Sequence, residues 1–245
     1  MNRIATLAYG GLCYAFGMAV ILYSIAFVGG FAPLSVDAGG PASDLTTAIV
    51  INLVLLGIFA VQHSVMARPA FKAWWTSMVP PAIERSTYVL FSALALALMY
   101  WQWRPIAGTV WMVGQPWTAV LLAVFWVGWA IVFISTFLIN HFDLFGLAQV
   151  WAAWKGAAAK TGTPEFHTPF FYKVVRHPLY FGFLLAFWAA PTMTVGHVLF
   201  AAAASGYILI GIWLEERDLV ATFGDTYRQY RQRVSMLIPF LPGRG

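Results

Sequence analysis

Four runs of the chain are almost entirely apolar, and each is long enough to cross the hydrocarbon core of a membrane as a helix. They lie at about residues 5–31, 46–66, 83–103 and 118–140, and a spanning helix needs about 20 residues. Only 9% of the 245 residues are charged, whereas soluble domains are about a quarter charged. A soluble fold could not bury this much apolar surface, so the sequence predicts an all-α integral membrane protein.

A fifth apolar region covers residues 179–214 and is too long for one crossing. Because Pro191 interrupts it, we interpret it as a helical hairpin with arms at about 179–190 and 196–214. The first arm is short, since a helix rises by roughly 1.5 Å per residue. The fold prediction is therefore about six transmembrane helical segments, the last two forming the hairpin. The chain length predicts a single domain over residues 1–245.

The cationic residues predict how the chain is oriented. With six crossings and the amino terminus inside, Arg104 is the one cation in an outer segment, and the other 13 of the 14 Lys and Arg residues are cytoplasmic. This asymmetry follows the positive-inside rule. A five-crossing arrangement would leave the basic carboxyl tail outside, so both termini are predicted to be cytoplasmic.

Polar residues gather at the predicted cytoplasmic ends of the helices. His63 ends the second helix, His141 and Asp143 follow the fourth, and the pairs 176–177 and 215–216 flank the hairpin. Any one of them has an ordinary explanation, such as an ion pair between a glutamate and a nearby arginine. Ionisable groups near membrane depth are nevertheless costly and usually functional, so their convergence predicts a site on the cytoplasmic side.

Several classes of site have no support in the sequence. No G-x-G-x-x-G follows a strand and no G-x-x-x-x-G-K-[ST] is present, so neither a Rossmann domain nor a P-loop is predicted. The single cysteine, Cys13, lies in an apolar run, and no Cys/His cluster predicts a metal site. The net charge of +5 is modest, and no nucleic-acid partner is predicted.

Two motifs resemble a known superfamily of membrane methyltransferases. Residues 176–182 read R-H-P-L-Y-F-G, and about one hairpin later residues 215–219 read E-E-R-D-L, followed by F-G-D-T-Y-R-Q-Y at 223–230. The pattern resembles the R-H-P-x-Y-x-G and E-E-x-x-L…F-G-x-x-Y-x-x-Y motifs of the isoprenylcysteine carboxyl methyltransferase and phospholipid methyltransferase superfamily. Either motif alone is weak, and the two at hairpin spacing are specific.

The rest of the chain resembles a narrower group, the bacterial methanethiol S-methyltransferases. The resemblance rests on Q-H-S-V-M-A-R at 62–68, E-R-S-T-Y at 84–88 and N-H-F-D-L-F-G at 140–146. It implies an S-adenosylmethionine-dependent enzyme that methylates a small thiol, methanethiol, to give dimethyl sulfide. It also implies a bacterial inner membrane, with the active site facing the cytoplasm.

The resemblance further implies where S-adenosylmethionine binds, in a pocket built within about residues 176–234. The residues carried over by motif position are Arg176, His177, Pro178, Tyr180, Gly182, Glu215, Glu216 and Tyr227. A carboxylate suits a ribose diol or an ammonium group. Adjacent glutamates point about 100° apart on a helix, so one of the two is expected to face the ligand.

Methylation of a thiol needs the thiolate, and a cysteine-like thiol has a pKa of about 8.5. A base or a cationic group should therefore assist. The candidates outside the cofactor motifs are His141 and Asp143, followed by His63. The first two can act as a pair only if the fourth helix ends near Asn140, because residues two apart on a continuous helix do not face each other.

Three other functions remain open at this point. The same superfamily includes enzymes that act on a lipid amine or on a prenylcysteine carboxylate. Membrane sterol reductases have a related carboxyl-terminal architecture but use a nicotinamide cofactor. A non-catalytic transporter is a third reading, although transporter sites usually lie near the bilayer midplane. The sequence does not indicate an oligomeric state.

Overall fold

A computed structural model describes residues 2–157 and 166–239, which are mostly helical. The helices are α1 (Arg3–Gly29), α2 (Leu45–Met66), α3 (Pro69–Trp75), α4 (Pro81–Gln102), α5 (Trp117–Ile139), α6 (His141–Leu144), α7 (Leu147–Trp154), α8 (Pro178–Trp188), α9 (Val195–Phe223) and α10 (Asp225–Arg233). A 3₁₀ turn covers Phe170–Lys173.

Within these residues, five helices are long and apolar enough to cross a membrane: α1, α2, α4, α5 and α9. Of the all-α prediction, this confirms a mostly helical chain with helices long and apolar enough to cross a membrane. The two helices of the predicted hairpin are present as α8 and α9. Helix α8 has only 11 residues and is too short to count as a span by length, so the sixth crossing stays a prediction.

Two short strands, β1 (Thr109–Met112) and β2 (Thr192–Thr194), pair with each other. They depart from the all-α prediction. Backbone N–H and C=O groups must find partners in an apolar environment, and strand pairing supplies them where Pro191 prevents α8 from continuing. The Trp111 indole N–H adds a 3.0 Å bond to the Ala190 carbonyl.

The contacts divide the chain into two compact units. Unit 1 consists of Met1–Thr109, Asn140–Thr161 and Thr194–Phe200, and unit 2 consists of Val110–Ile139, Gly162–Met193 and Ala201–Gly245. The candidate residues His63, His141 and Asp143 belong to unit 1. The candidate cofactor residues belong to unit 2.

In unit 1, α1 packs against α4 and α7. Two glycines of α1 make this possible, because a Cβ on Gly10 would lie 2.5 Å from Val150 and one on Gly17 would lie 2.8 Å from Val89. Small residues bring membrane helices close together in this way. In the first half of α2, the buried Asn52 side-chain amide makes two 2.8 Å hydrogen bonds with the Arg104 backbone, one to its carbonyl and one from its N–H.

In unit 2, α5 packs along α8 through facing glycines. A Cβ on Gly182 would lie 2.6 Å from the Gly128 carbonyl oxygen, and a Cβ on Gly128 would lie 2.7 Å from the Gly182 carbonyl oxygen. Helix α8 also lies against α9, since the Trp188 indole N–H donates to Ser205 Oγ at 3.0 Å. At the opposite end of α8, His177 Nε2 lies 3.0 Å from Glu216 Oε1, so the two helices run antiparallel.

Candidate active site

A buried ion cluster lies at the start of α8. Glu216 Oε1 accepts from Arg176 Nε at 2.7 Å and lies 3.0 Å from His177 Nε2, and Glu216 Oε2 lies 3.3 Å from Arg231 Nε. The Arg176 and Glu216 side chains are 3% and 9% exposed. Three elements that are distant in sequence therefore meet on one carboxylate.

The segment after α10 holds Arg176 and His177 in place. The Arg176 backbone N–H donates to the Ser235 carbonyl at 2.8 Å, and the His177 N–H donates to the Met236 carbonyl at 3.2 Å. Arg176 Nη1 donates to the carbonyls of Arg231 and Val234 at 2.8 and 2.7 Å. Pro178 then starts α8, where its missing N–H is not needed.

The two adjacent glutamates have different environments. Glu216 points into the ion cluster, whereas the Glu215 side chain is 45% exposed and has Oε2 3.7 Å from His177 Nδ1. The two side chains therefore point in different directions, as the helix geometry predicted. The contacts with Arg176 and His177 assign the buried position to Glu216. Glu215 is the carboxylate that remains accessible to a ligand.

Aromatic side chains of unit 2 pack together near this cluster. The Phe166 ring centroid lies within 6 Å of three others, at 5.3 Å from Phe223, 5.7 Å from Tyr227 and 5.2 Å from Tyr230. Burial raises the pKa of Tyr230 to about 12 and also raises the pKa of Tyr227, with Glu216 adding to both. These phenols are consequently neutral and keep their hydroxyl protons at physiological pH.

Tyr180 and Gly182 occupy two different positions on α8. The Tyr180 ring centroid lies 5.7 Å from that of His177, next to the ion cluster. Gly182, which the resemblance assigns to the cofactor pocket, has the backbone of α5 against it. Its contribution to a cofactor site stays a prediction.

In unit 1, three of the sequence motifs come together. Arg85 Nε donates to the Leu144 carbonyl at 2.7 Å, and Ser86 packs against Gly146, whose φ of +84° suits glycine. Tyr88 Oη lies 2.8 Å from His63 Nε2. Residues 62–68, 84–88 and 140–146 thus lie in contact with one another as one assembly.

His63 is embedded in this assembly. Its Nδ1 lies 3.1 Å from Ser92 Oγ, and its ring stacks on Phe59 with centroids 5.1 Å apart. The hydroxyls of Ser92 and Tyr88 can each donate or accept, so they can hold the His63 ring in either tautomer. The geometry is suited to keeping the imidazole in one orientation.

His141 lies at the break between α5 and α6 that its predicted role requires. Helix α5 ends at Ile139, and Asn140 adopts φ +151°, which is unusual for a residue with a side chain. His141 is buried with Nε2 2.9 Å from Tyr14 Oη, and burial lowers its pKa. The imidazole is therefore neutral near pH 7 and able to accept a proton.

Asp143 lies close to His141 in sequence but is exposed. Its Oδ1 accepts a 3.0 Å bond from Gln149 Nε2, and its backbone N–H donates to Oδ1 of Asn140, the N-cap of α6, at 3.4 Å. The polar partner seen for its carboxylate is thus Gln149, and its predicted role in orienting His141 stays a prediction.

Two polar contacts are not apparent from the sequence. In unit 2, the ion pair between Arg231 and Glu216 joins residues 15 positions apart. In unit 1, Asp37 Oδ2 lies 3.1 Å from the buried His197 Nδ1, and Asp37 Oδ1 accepts from Thr194 Oγ1 at 2.5 Å. Asp37 and His197 are separated by 160 residues, so no local pattern could have linked them. Within the described residues, no group of His, Cys, Asp and Glu could hold a metal ion.

Relatives that match nearly the whole chain share one name. Methanethiol S-methyltransferase 2 of Bradyrhizobium diazoefficiens is 52% identical over 243 residues, which cover 99% of this chain and 93% of that protein. Methanethiol S-methyltransferase of Mycobacterium tuberculosis is 53% identical over 243 residues, 98% of each chain. The chain belongs to the methanethiol S-methyltransferase family.

Membership in the methanethiol S-methyltransferase family confirms the prediction that the chain is an enzyme, a thiol S-methyltransferase. Nurim of Mus musculus is a more distant relative, 33% identical over 175 residues that cover 69% of this chain and 66% of that protein. No protein-family model and no solved structure matches the chain.

Proposed function

We propose that the chain transfers the methyl group of S-adenosylmethionine to methanethiol and releases dimethyl sulfide. The observation that carries the proposal is the identity of about half of all residues, over nearly the full length, to enzymes named for methanethiol methylation. Bound S-adenosylmethionine supplies a methyl group on a sulfonium sulfur, which keeps the bonding electron pair when the thiolate takes the methyl. The thiol proton goes to a base of the protein.

The ion cluster of unit 2 fits the methyl donor. S-adenosylmethionine carries an ammonium, a sulfonium and a carboxylate, so its site has to present both signs of charge. The accessible Glu215 carboxylate suits the ammonium or the ribose hydroxyls. Arg176, His177 and Glu216 form the buried base of this site, with Tyr180 beside His177 and the buried Tyr227 packed nearby. We assign the cofactor-binding part to residues 176–234 of one methyltransferase domain spanning 1–245.

We assign thiol deprotonation to the polar residues of unit 1. His141 is the first choice, since the pKa of its buried ring is lowered and the neutral imidazole can take a proton. Asp143 is grouped with it, and His63 is the next candidate because Tyr88 and Ser92 hold its ring. The apolar side chains around both histidines suit a thiol that arrives from the bilayer.

The proposed site faces the cytoplasm of a bacterial inner membrane. The six-crossing arrangement, in which α8 and the segment after it form the fifth crossing and α9 forms the sixth, leaves 13 of the 14 Lys and Arg residues inside. Both termini are then cytoplasmic. A reporter enzyme that works only in the cytoplasm should be active when it is fused after Gly245. Activity there of a reporter that works only outside the cytoplasmic membrane would overturn this topology.

The function is tested with purified protein and methyl-labelled S-adenosylmethionine. The acceptors are methanethiol, longer alkyl thiols, a lipid amine and a prenylcysteine. We expect label in dimethyl sulfide and little in the lipid products. Transfer to the amine or the carboxylate acceptor alone would replace the proposal with another activity of the superfamily. Binding of a nicotinamide cofactor in place of S-adenosylmethionine would indicate a reductase.

A further inference from the structure

The buried ion cluster of unit 2 carries an excess of positive charge. It contains two guanidinium groups, those of Arg176 and Arg231, against the single carboxylate of Glu216. Glu215 does not pair with either arginine and lies instead beside His177. An uncompensated charge that is largely removed from water is costly, so this cluster favours the arrival of an anion.

The two arginines differ in how much of their hydrogen-bonding capacity is used. Arg176 is 3% exposed and donates to one carboxylate and two backbone carbonyls. Arg231 is 30% exposed, and its Nε lies 3.3 Å from Glu216 Oε2 without forming a hydrogen bond. Among the described residues, neither terminal nitrogen of Arg231 has a hydrogen-bond partner. Arg176 is therefore a structural cation, whereas the fork of Arg231 remains available.

Neighbouring arginines of α10 show that this is not simply a solvated helix face. Arg228 pairs with Asp225 at 2.7 Å on the exposed side, and Arg233 donates from Nε to the Gln229 carbonyl at 3.3 Å. Arg231 alone of the three lies against Glu216, and the buried Tyr230 precedes it. Its guanidinium is therefore held beside the proposed cofactor site by an ion pair.

We propose that Arg231 binds the carboxylate of the amino-acid portion of S-adenosylmethionine, while Glu215 takes the opposite charge of the same ligand. The inference rests on the proposed function and adds a residue to it. A guanidinium fork binds a carboxylate through two parallel N–H···O bonds. The carboxylate also neutralises the excess charge that Glu216 leaves on the two arginines. Arg231 thereby selects a methyl donor that retains its carboxylate.

The test compares two ligands that differ only in this group, S-adenosylmethionine and its decarboxylated analogue. Dissociation constants are measured on the full chain in detergent or nanodiscs for the wild type, Arg231→Gln and Arg231→Lys. A hydrogen bond to a charged group corresponds to about a 10- to 150-fold change in affinity. We expect Arg231→Gln to bind S-adenosylmethionine weaker by about that factor and the analogue almost as well as the wild type does. Arg231→Lys should be intermediate.

Arg228→Gln and Arg233→Gln serve as matched controls, since they remove the same charge from the same helix. Both should keep the wild-type preference for the carboxylate. Equal weakening of both ligands in Arg231→Gln would mean that Arg231 only supports Glu216, and no weakening of either would mean that it does not reach the ligand; each result overturns the inference. If the wild type binds neither ligand, the proposed function fails with it, which the wild-type measurement alone reveals.

Discussion

Glu215 and Glu216 are adjacent in sequence, yet substitution of Glu216 by glutamine should lower stability and substitution of Glu215 should lower cofactor affinity. Glu216 is the only carboxylate that the described residues place against Arg176, at 2.7 Å and with both side chains almost fully buried. Removing one partner of a buried ion pair typically costs about 3–5 kcal/mol. Glu216→Gln should lie near the lower limit, because the amide oxygen can still accept a hydrogen bond. For a chain of this size, about 3 kcal/mol corresponds to a fall in Tm of about 6–12 °C.

Glu215→Gln removes a carboxylate that is 45% exposed and makes only a long contact, 3.7 Å, with His177 Nδ1. Such exposed pairs contribute about 0–1 kcal/mol, so its Tm should stay within a few degrees of wild type. Its affinity for S-adenosylmethionine should fall by about tenfold or more, since the lost bond is to a charged or hydroxyl group. The assay is thermal unfolding in detergent together with a binding isotherm. Equal losses of stability in the two variants, with unchanged affinity in Glu215→Gln, would refute the division between a structural and a ligand-binding glutamate.

Three further predictions concern packing, pH and proton transfer. Gly182→Ala should destabilise unit 2 by about 1–3 kcal/mol, because its Cβ would lie 2.6 Å from a backbone oxygen of α5; Gly206→Ala, which meets nothing within 4 Å, is the control, and equal Tm values would contradict the packing argument. The pKa of His141 is lower in the folded protein than its ordinary value of about 6.5, so the unfolded chain binds more protons below that ordinary pKa. The free energy of unfolding should therefore fall as the pH drops from about 6.5 toward the lowered pKa of the folded state. His141→Asn should lose part of this acid-side fall in Tm, and an identical pH profile would remove His141 from its cause. Among His141→Asn, His63→Ala and Asp143→Asn, the variant that lacks the base should turn over methanethiol about 10²- to 10⁴-fold more slowly, with a smaller defect at higher pH; wild-type rates in all three would leave positioning as the source of catalysis.

The positions of the long helices could be predicted because apolar runs specify them directly. Helix α9 nevertheless continues to Phe223, nine residues beyond the predicted end at 214. Apolarity ends at Glu215, but nothing there stops a helix, and Gly224 with φ +55° is the first residue that does. The strands β1 and β2 were missed because runs of four and three residues are too short for a period of two to be seen.

The polar contacts of the site were predictable only in part. Helix geometry indicated that the two glutamates diverge, but their assignment depends on Arg176 and Arg231, which reach Glu216 from segments 40 and 15 residues away in sequence. His141 and Asp143 can act as a pair only if the fourth helix ends near Asn140. The helix does end there, and Asn140 has a φ of +151°. No residue type specifies such a conformation, so the helix break at Asn140 could not be predicted from the sequence.

The dependence of the R-H-P motif on the chain's last described residues explains why the two motifs are specific together and weak apart. The backbone N–H groups of Arg176 and His177 are satisfied by carbonyls of Ser235 and Met236, and the Arg176 side chain is satisfied by Glu216 and the carbonyls that end α10. Unsatisfied buried polar groups of this kind cost about 1–3 kcal/mol each. A chain with only the first motif would bury Arg176 without the Glu216 carboxylate, and one with only the second would bury Glu216 without the Arg176 and His177 side chains. Each motif is therefore stable at this depth because the other completes its hydrogen bonds.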